Sequence, residues 1–157
     1  MRLQLAVEDN DIIAHPEGDV ASLALNLMQN PIAILGPNEL MPAVNRFKNQ
    51  LNENSSRFAR IGAFPEMNHN ESVAWGGVGD DQDPAASEQA LLLFSWDGLH
   101  PRVRHRMDWF VSNCPTELAW KIHGDGETLL ECLLHLCIMT DWLSIALALL
   151  LSLIHIS

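Results

Sequence analysis

Ala90-Leu-Leu-Leu-Phe-Ser-Trp96 is apolar at every position except Ser95. A short apolar run without polar alternation has no solvent face, which is the pattern of a strand inside a parallel sheet covered on both sides. Asp97-Gly98 then turns the chain. Pro31-Ile-Ala-Ile-Leu35 has the same character and is broken by Gly36-Pro37-Asn38. Arg57 to Ala63 and Glu117 to Ile122 are two further strand candidates. Helical spacings separate these runs. Ala21 to Asn30 places Leu23, Leu27 and Met28 on one side. The next helix starts near Leu40 to Pro42, since proline suits a first turn. Val44, Phe47 and Leu51 form its core face, and Arg46, Lys48 and Gln50 face outward. Pro101 to Asn113 buries Val103, Met107, Phe110 and Val111. The last helix starts around Thr128, where Thr128 and Glu131 have capping-box spacing, and runs at least to Leu150. Repeated alternation of strand and helix predicts a three-layer α/β domain with a mainly parallel sheet flanked by helices.

The domain is expected to span residues 21–150. Residues 1–20, with Pro16, Gly18 and several acids, read as a tail or linker. Leu151-Ser-Leu-Ile-His-Ile-Ser157 resembles translated adapter sequence and is expected to be non-native. The chain carries 20 Asp and Glu against 9 Lys and Arg among 157 residues. That balance argues against nucleic acid or an anionic membrane surface as partner. Cys114, Cys132 and Cys137 form no CxxC pair, and the first segment is too polar for a signal peptide, so reduced thiols in a cytoplasmic protein are expected. Trp142 to Ile156 is apolar, but a membrane span needs ~20 such residues. Asp141, His135 and Glu131 interrupt it upstream, so the expectation is a buried helix lying against the sheet.

Phe64-Pro-Glu-Met-Asn-His-Asn-Glu71 concentrates amides, an imidazole and carboxylates in a loop after a strand, where α/β folds keep their chemistry. Two readings coexist. Asn68 and Glu71 have capping-box spacing. Glu71 is also a candidate base, and a helix N-terminus favours an ionised carboxylate. The glycine- and acid-rich loop from Trp75 to Pro84 lacks a following Lys-Ser/Thr, and its acids repel phosphate, so it reads as a plain flexible loop.

Five segments in order carry a resemblance: Asn45 to Ser55, Phe64 to Glu71, Leu99-His-Pro-Arg102, Gly126 to Leu134, and Thr140-Asp-Trp-Leu-Ser144. Together they resemble the second sugar-isomerase (SIS) domain of the bifunctional phosphoglucose/phosphomannose isomerases. The resemblance implies two such domains per chain, each a five-stranded parallel sheet, assembled as a cytoplasmic homodimer. It implies interconversion of glucose 6-phosphate or mannose 6-phosphate with fructose 6-phosphate, with no metal or cofactor.

Aldose–ketose isomerisation needs a base that moves a proton between C2 and C1 through an enediolate, and a carboxylate suits this. It needs a group that opens the ring, which suits imidazole. It also needs a cation near the enediolate and a cradle for the phosphate. The resemblance makes Glu71 the base and His100 the ring opener, the latter entering from a partner subunit. His69 and Asn70 would orient Glu71 or touch sugar hydroxyls. The alternative for His100 is a solvated residue ahead of a helix start. Arg102, Arg104 and Arg106 read most simply as a solvated helix face. The family's phosphate-binding loop belongs to its first domain, and its catalytic lysine lies beyond the position of Leu150. Lys48 and Lys121 are out of context, and Ser56 stands where the family usually has a lysine. The expectation is therefore a fragment with little activity alone. Rival readings are a non-catalytic sugar-phosphate-binding regulatory domain and a metal-dependent isomerase using His69, Glu71, His100 or His105.

Overall fold

A computed structural model describes residues 2–76 and 82–152. Residues 77–81 of the glycine- and acid-rich loop and the last five residues of the adapter-like tail lie outside the described residues. Four strands, β1 (Ile32–Pro37), β2 (Ala59–Phe64), β3 (Ala90–Trp96) and β4 (Ala119–Gly124), form one sheet in the order β2-β1-β3-β4. Every pairing is parallel; Ile34 lies opposite both Ile61 and Leu92. The implied fifth strand is not present among the described residues, and β4 forms one edge of the sheet.

The helices are α1 (Arg2–Asn10), α2 (Asp19–Leu27), α3 (Met41–Ser55), α4 (Glu71–Ala74), α5 (Pro101–Asn113) and α6 (Leu129–Leu150). The alternating side chains of β1 and β3 feed two separate cores. Ile32, Ile34, Leu92 and Phe94 face α2, α3 and α6. Ala33, Leu35, Leu91 and Leu93 face Met67, Trp75 and α5. Period-two geometry makes both sets possible in one strand. Val44, Phe47 and Leu51 are fully buried, and Phe47 stacks on Phe94 with centroids 6.3 Å apart. On α5, Met107 and Phe110 are buried, but Val111 is 38% exposed, because it lies beyond the stripe that meets the sheet.

Two expectations about the surface change. Residues 1–20 are not featureless: α1 places Ala6 in a buried position and packs on α6. Its Leu3, Ala6, Val7 and Asn10 recur at helical spacing, which the acidic residues around them obscured. Arg46 and Gln50 do not simply face solvent. Arg46 Nη2 donates to Asp141 Oδ2 at 2.7 Å, and Gln50 Nε2 donates to Asp141 Oδ1 at 3.1 Å. Asn54 Nδ2 donates to Ser144 Oγ at 2.9 Å. A polar seam therefore joins α3 to α6, using residues from two of the five resemblance segments.

α6 has the length and mean hydropathy, 1.9, of a helix able to cross a membrane. Here Leu136, Leu143 and Leu147 enter the core, so the helix lies against the sheet and against α3. It opens on a complete capping box. Thr128 Oγ1 accepts from Glu131 N–H at 3.3 Å, and Glu131 Oε2 accepts from Thr128 N–H at 3.1 Å. The turn after α3 is closed by Ser56, left-handed at φ 52°, with its N–H donating to Leu51 O. A glycine would adopt this conformation with less strain, and a lysine there would carry the same Cβ cost as serine. Arg57 follows and donates to Met28 O and Asn30 O, each at 2.6 Å, tying this turn to the end of α2.

Replacing Thr128 by Ala removes one half of the capping box and is expected to cost about 1 kcal/mol in urea unfolding. His135 on α6 has a buried Nδ1 without a hydrogen-bond partner. Burial holds its imidazole below the ordinary histidine range; Asp125 opposes this and His123 adds to it. The unfolded chain therefore takes up a proton that the native state refuses. Its contribution to stability is present above the unfolded pKa and is lost as pH falls through the lowered native value. His135→Leu is expected to flatten the fall in urea midpoint between about pH 7.5 and about pH 5.5. An unchanged pH dependence would count against this account.

Candidate active site

The Phe64–Glu71 loop is built by apolar anchors. Phe64 ends β2, and the Phe64–Pro65 peptide bond is cis. A 3-10 turn over Glu66–His69 follows, then the single turn of α4. Phe64, Met67 and Trp75 are buried, and Phe64 and Trp75 both meet Phe110 of α5 edge-on with centroids 5.6 Å apart. Between these anchors, His69 and Asn70 are left exposed and Glu71 is half-buried.

The expected Asn68–Glu71 capping box does not form. Asn68 lies within the 3-10 turn, its N–H donating to Pro65 O at 3.1 Å and its carbonyl accepting from Ser72 Oγ at 3.0 Å. Asn70 caps α4 instead: its Oδ1 accepts from Glu71 N–H at 2.6 Å. The Glu71 side chain does not reach back to the cap. It turns to β2, where Arg60 Nε donates to its Oε2 at 3.1 Å. The carboxylate also lies over Gly62; a Cβ there would stand 3.3 Å from Oε1 and 3.4 Å from Oε2. Of the residues expected to surround Glu71, Asn70 thus acts on its backbone, and His69 stands beside it in sequence with its side chain exposed.

His100 is the N-cap of α5, and its Nδ1 accepts from Arg102 N–H at 3.2 Å. An accepting Nδ1 selects the tautomer that carries its proton on Nε2. The solvated-residue reading therefore holds for its exposure, with a capping bond added. Glu71 follows β2 and His100 follows β3, with β1 between those strands; Glu71 is bonded to Arg60 and Asn70, and His100 to Arg102, rather than to each other. Arg102 and Arg106 are exposed, whereas Arg104 donates to Asp97 O at 2.9 Å and braces the turn after β3.

The chain connections leave β1 and β3 in opposite directions, which makes the crevice outside their carboxyl ends the topological switch point of the sheet. Residues there escaped the sequence reading. Trp96 Nε1 donates to Glu39 Oε1 at 3.3 Å across that crevice. Ser95 Oγ and His123 Nδ1 lie 3.2 Å apart, and His123 Nε2 lies 3.6 Å from Asp97 Oδ1. Ser95 is 2% exposed, so this hydroxyl ties β3 to β4 and is not open to a substrate. A signal was available only in the register that sets Ser95 opposite His123. A groove of about 410 Å³ lies elsewhere, between α2, α6 and the edge of β4, and neither Glu71 nor His100 lines it.

Among the described residues, no group of three or more His, Cys, Asp or Glu side chains is arranged to hold a metal ion. Cys114, Cys132 and Cys137 are free, and burial pushes each thiol up.

Comparison with solved structures gives the same fold. A glucose-6-phosphate isomerase like protein from Thermus thermophilus matches with a TM-score of 0.64 at 14% identity, over 86% of this chain and 44% of that one. A putative sugar binding protein from Salmonella typhimurium LT2 matches with a TM-score of 0.55 at 15% identity, over 88% of this chain and 42% of that one. In sequence, the bifunctional phosphoglucose/phosphomannose isomerase of Aquifex aeolicus (strain VF5) is 32% identical over 108 residues. That match takes in 66% of this chain and 31% of the relative, so the matched stretch spans about a third of the relative's length. Residues 17–153 match the family described as the bacterial phospho-glucose isomerase C-terminal SIS domain. With the three-layer parallel fold and the order of its motifs, this match makes the chain a member of the C-terminal SIS domain family of bacterial phosphoglucose isomerases.

Proposed function

We propose that this domain supplies the proton-shuttling carboxylate of an aldose–ketose isomerase acting on hexose 6-phosphates. The observation that carries the reading is Glu71: a half-buried carboxylate, fixed at both its backbone and its side chain, in the loop after β2. Glu71 takes the proton from C2 of the open aldose and returns it to C1 of the enediolate. A fixed carboxylate suits that suprafacial transfer, because one oxygen can reach neighbouring carbons without a change of partner. Nε2–H of His100 is a donor of the right kind for the ring oxygen, since Nδ1 is engaged by Arg102 N–H. His69 and Asn70 immediately precede Glu71 and would orient it or contact sugar hydroxyls.

By the family resemblance the site is completed by a second subunit, with His100 of one copy serving Glu71 of the other, and the exposed ring of His100 is free to serve that role. Binding the phosphate and stabilising the enediolate would fall to a first SIS domain and to a lysine outside this chain. The working protein would then be a cytoplasmic homodimer of two-domain chains, and this chain alone would turn over little substrate. The test uses a full-length enzyme containing this domain, assayed on fructose 6-phosphate with coupled detection of glucose 6-phosphate. Glu71→Gln is expected to lower kcat by roughly 10²–10⁴-fold, the usual contribution of a general base. His100→Gln is expected to slow the cyclic sugar more than an open-chain substrate.

A regulatory reading, in which the domain binds a sugar phosphate without converting it, has the fold likeness to the Salmonella putative sugar binding protein in its favour. Unchanged kcat in Glu71→Gln would favour that reading over the catalytic one. Conversion by this chain alone at the rate of the full-length enzyme would disprove the need for a further domain.

A further inference from the structure

We infer that Arg60 and Gly62, two positions on one face of β2, form a seat that positions the Glu71 carboxylate. The inference rests on the reading of Glu71 as the base and adds how the base is held. Arg60 and Gly62 are two residues apart in a strand, so both project to the same side of the sheet. Arg60 Nε lies 3.1 Å from Glu71 Oε2, with the Arg60 side chain 44% exposed and the Glu71 side chain 23% exposed. Gly62 presents no side chain, and the carboxylate occupies the space directly above it.

Each half of the seat does something the other cannot. Arg60 supplies a charged donor in a planar group, and its Nε–H favours one orientation of the carboxylate. Gly62 sets its height. A methyl group at Gly62 would also stand 2.8 Å from Leu35 Cδ2. Leu35 Cδ2 is the end of a buried side chain in the same core as Phe64, so both it and the carboxylate would have to give way. An alanine at this position would therefore press on Glu71, by a few tenths of an ångström, without altering any charge. Misplacing a base by about 1 Å can cost on the order of 10²-fold in rate, and a smaller shift correspondingly less. Arg60 and Gly62 are positioning residues; neither is required to touch the sugar.

Two measurements test the seat. The first uses this chain as it stands, labelled with ¹³C at the glutamate carboxyl carbons, with the Glu71 signal assigned by its loss in Glu71→Gln. That signal is expected to move in both Arg60→Gln and Gly62→Ala; a signal that stays in place in both overturns the seat, whatever the activity of the domain. The second uses the full-length enzyme. Arg60→Gln and Gly62→Ala are each expected to lower kcat by about tenfold or more with KM held within about twofold. Arg60→Lys, which restores the charge but not the planar group, is expected to recover part of the loss. Unchanged kcat, or a loss confined to KM, overturns the seat. Normal kcat in Glu71→Gln instead overturns the base reading and leaves the NMR result to stand for the geometry alone.

Discussion

β1 and β3 have no side that water can wet. Ile32, Ile34, Leu92 and Phe94 point one way and Ala33, Leu35, Leu91 and Leu93 the other, and all are buried. Each large apolar side chain among them contributes roughly 1.5–3 kcal/mol when removed from water, so leaving either face uncovered would forfeit most of the driving force for folding. Helices must therefore arrive on both sides. Parallel pairing follows, because each strand is separated from the next by a helix that has to cross back over the sheet. The three layers, the two cores and the placement of Glu71 beside β2 and His100 beyond β3 are consequences of that one constraint.

The fold was legible because the patterns that specify it are local. Ala90 to Trp96, Pro101 to Asn113 and the Thr128 cap carry their own punctuation, and the structure places these elements close to those bounds. The first ten residues were harder. Their acids suggested solvent, and only contact with α6 gives Ala6 a buried place. The site was legible as a set of residue types and not as an arrangement. Asn68 and Glu71 have the spacing of a reciprocal cap, but the turn after Pro65 draws Asn68 into a different hydrogen-bond pattern, and Asn70 takes the capping role. The Arg60 contact lies outside that loop, eleven positions upstream, and no short-range rule selects it. Ser95 and His123 show the same limit, since only strand register brings them together.

The segments that carried the family resemblance divide into two kinds. Phe64 to Glu71 and Leu99 to Arg102 hold the proposed chemistry. Asn45 to Ser55 and Thr140 to Ser144 hold the frame: Arg46 and Gln50 converge on Asp141, and Asn54 meets Ser144. A motif that looks polar enough for catalysis can thus be a joint between two helices. The exposure of Arg46 and Asp141 puts the value of their ion pair at the modest end, so the seam sets the alignment of α3 and α6 more than it adds to their affinity.

Asp141 has a second consequence, which concerns the surroundings α6 can tolerate. α6 is a 22-residue helix with a mean hydropathy of 1.9. By length and composition alone such a segment suits a bilayer as well as a hydrophobic core. One carboxylate near the middle of the helix raises the free energy of insertion by roughly 2.5–3.5 kcal/mol, while Arg46 offers it a partner only in water and only in the native fold. The residue that aligns two helices in the domain thereby also makes α6 a poorer membrane helix than its mean hydropathy alone suggests.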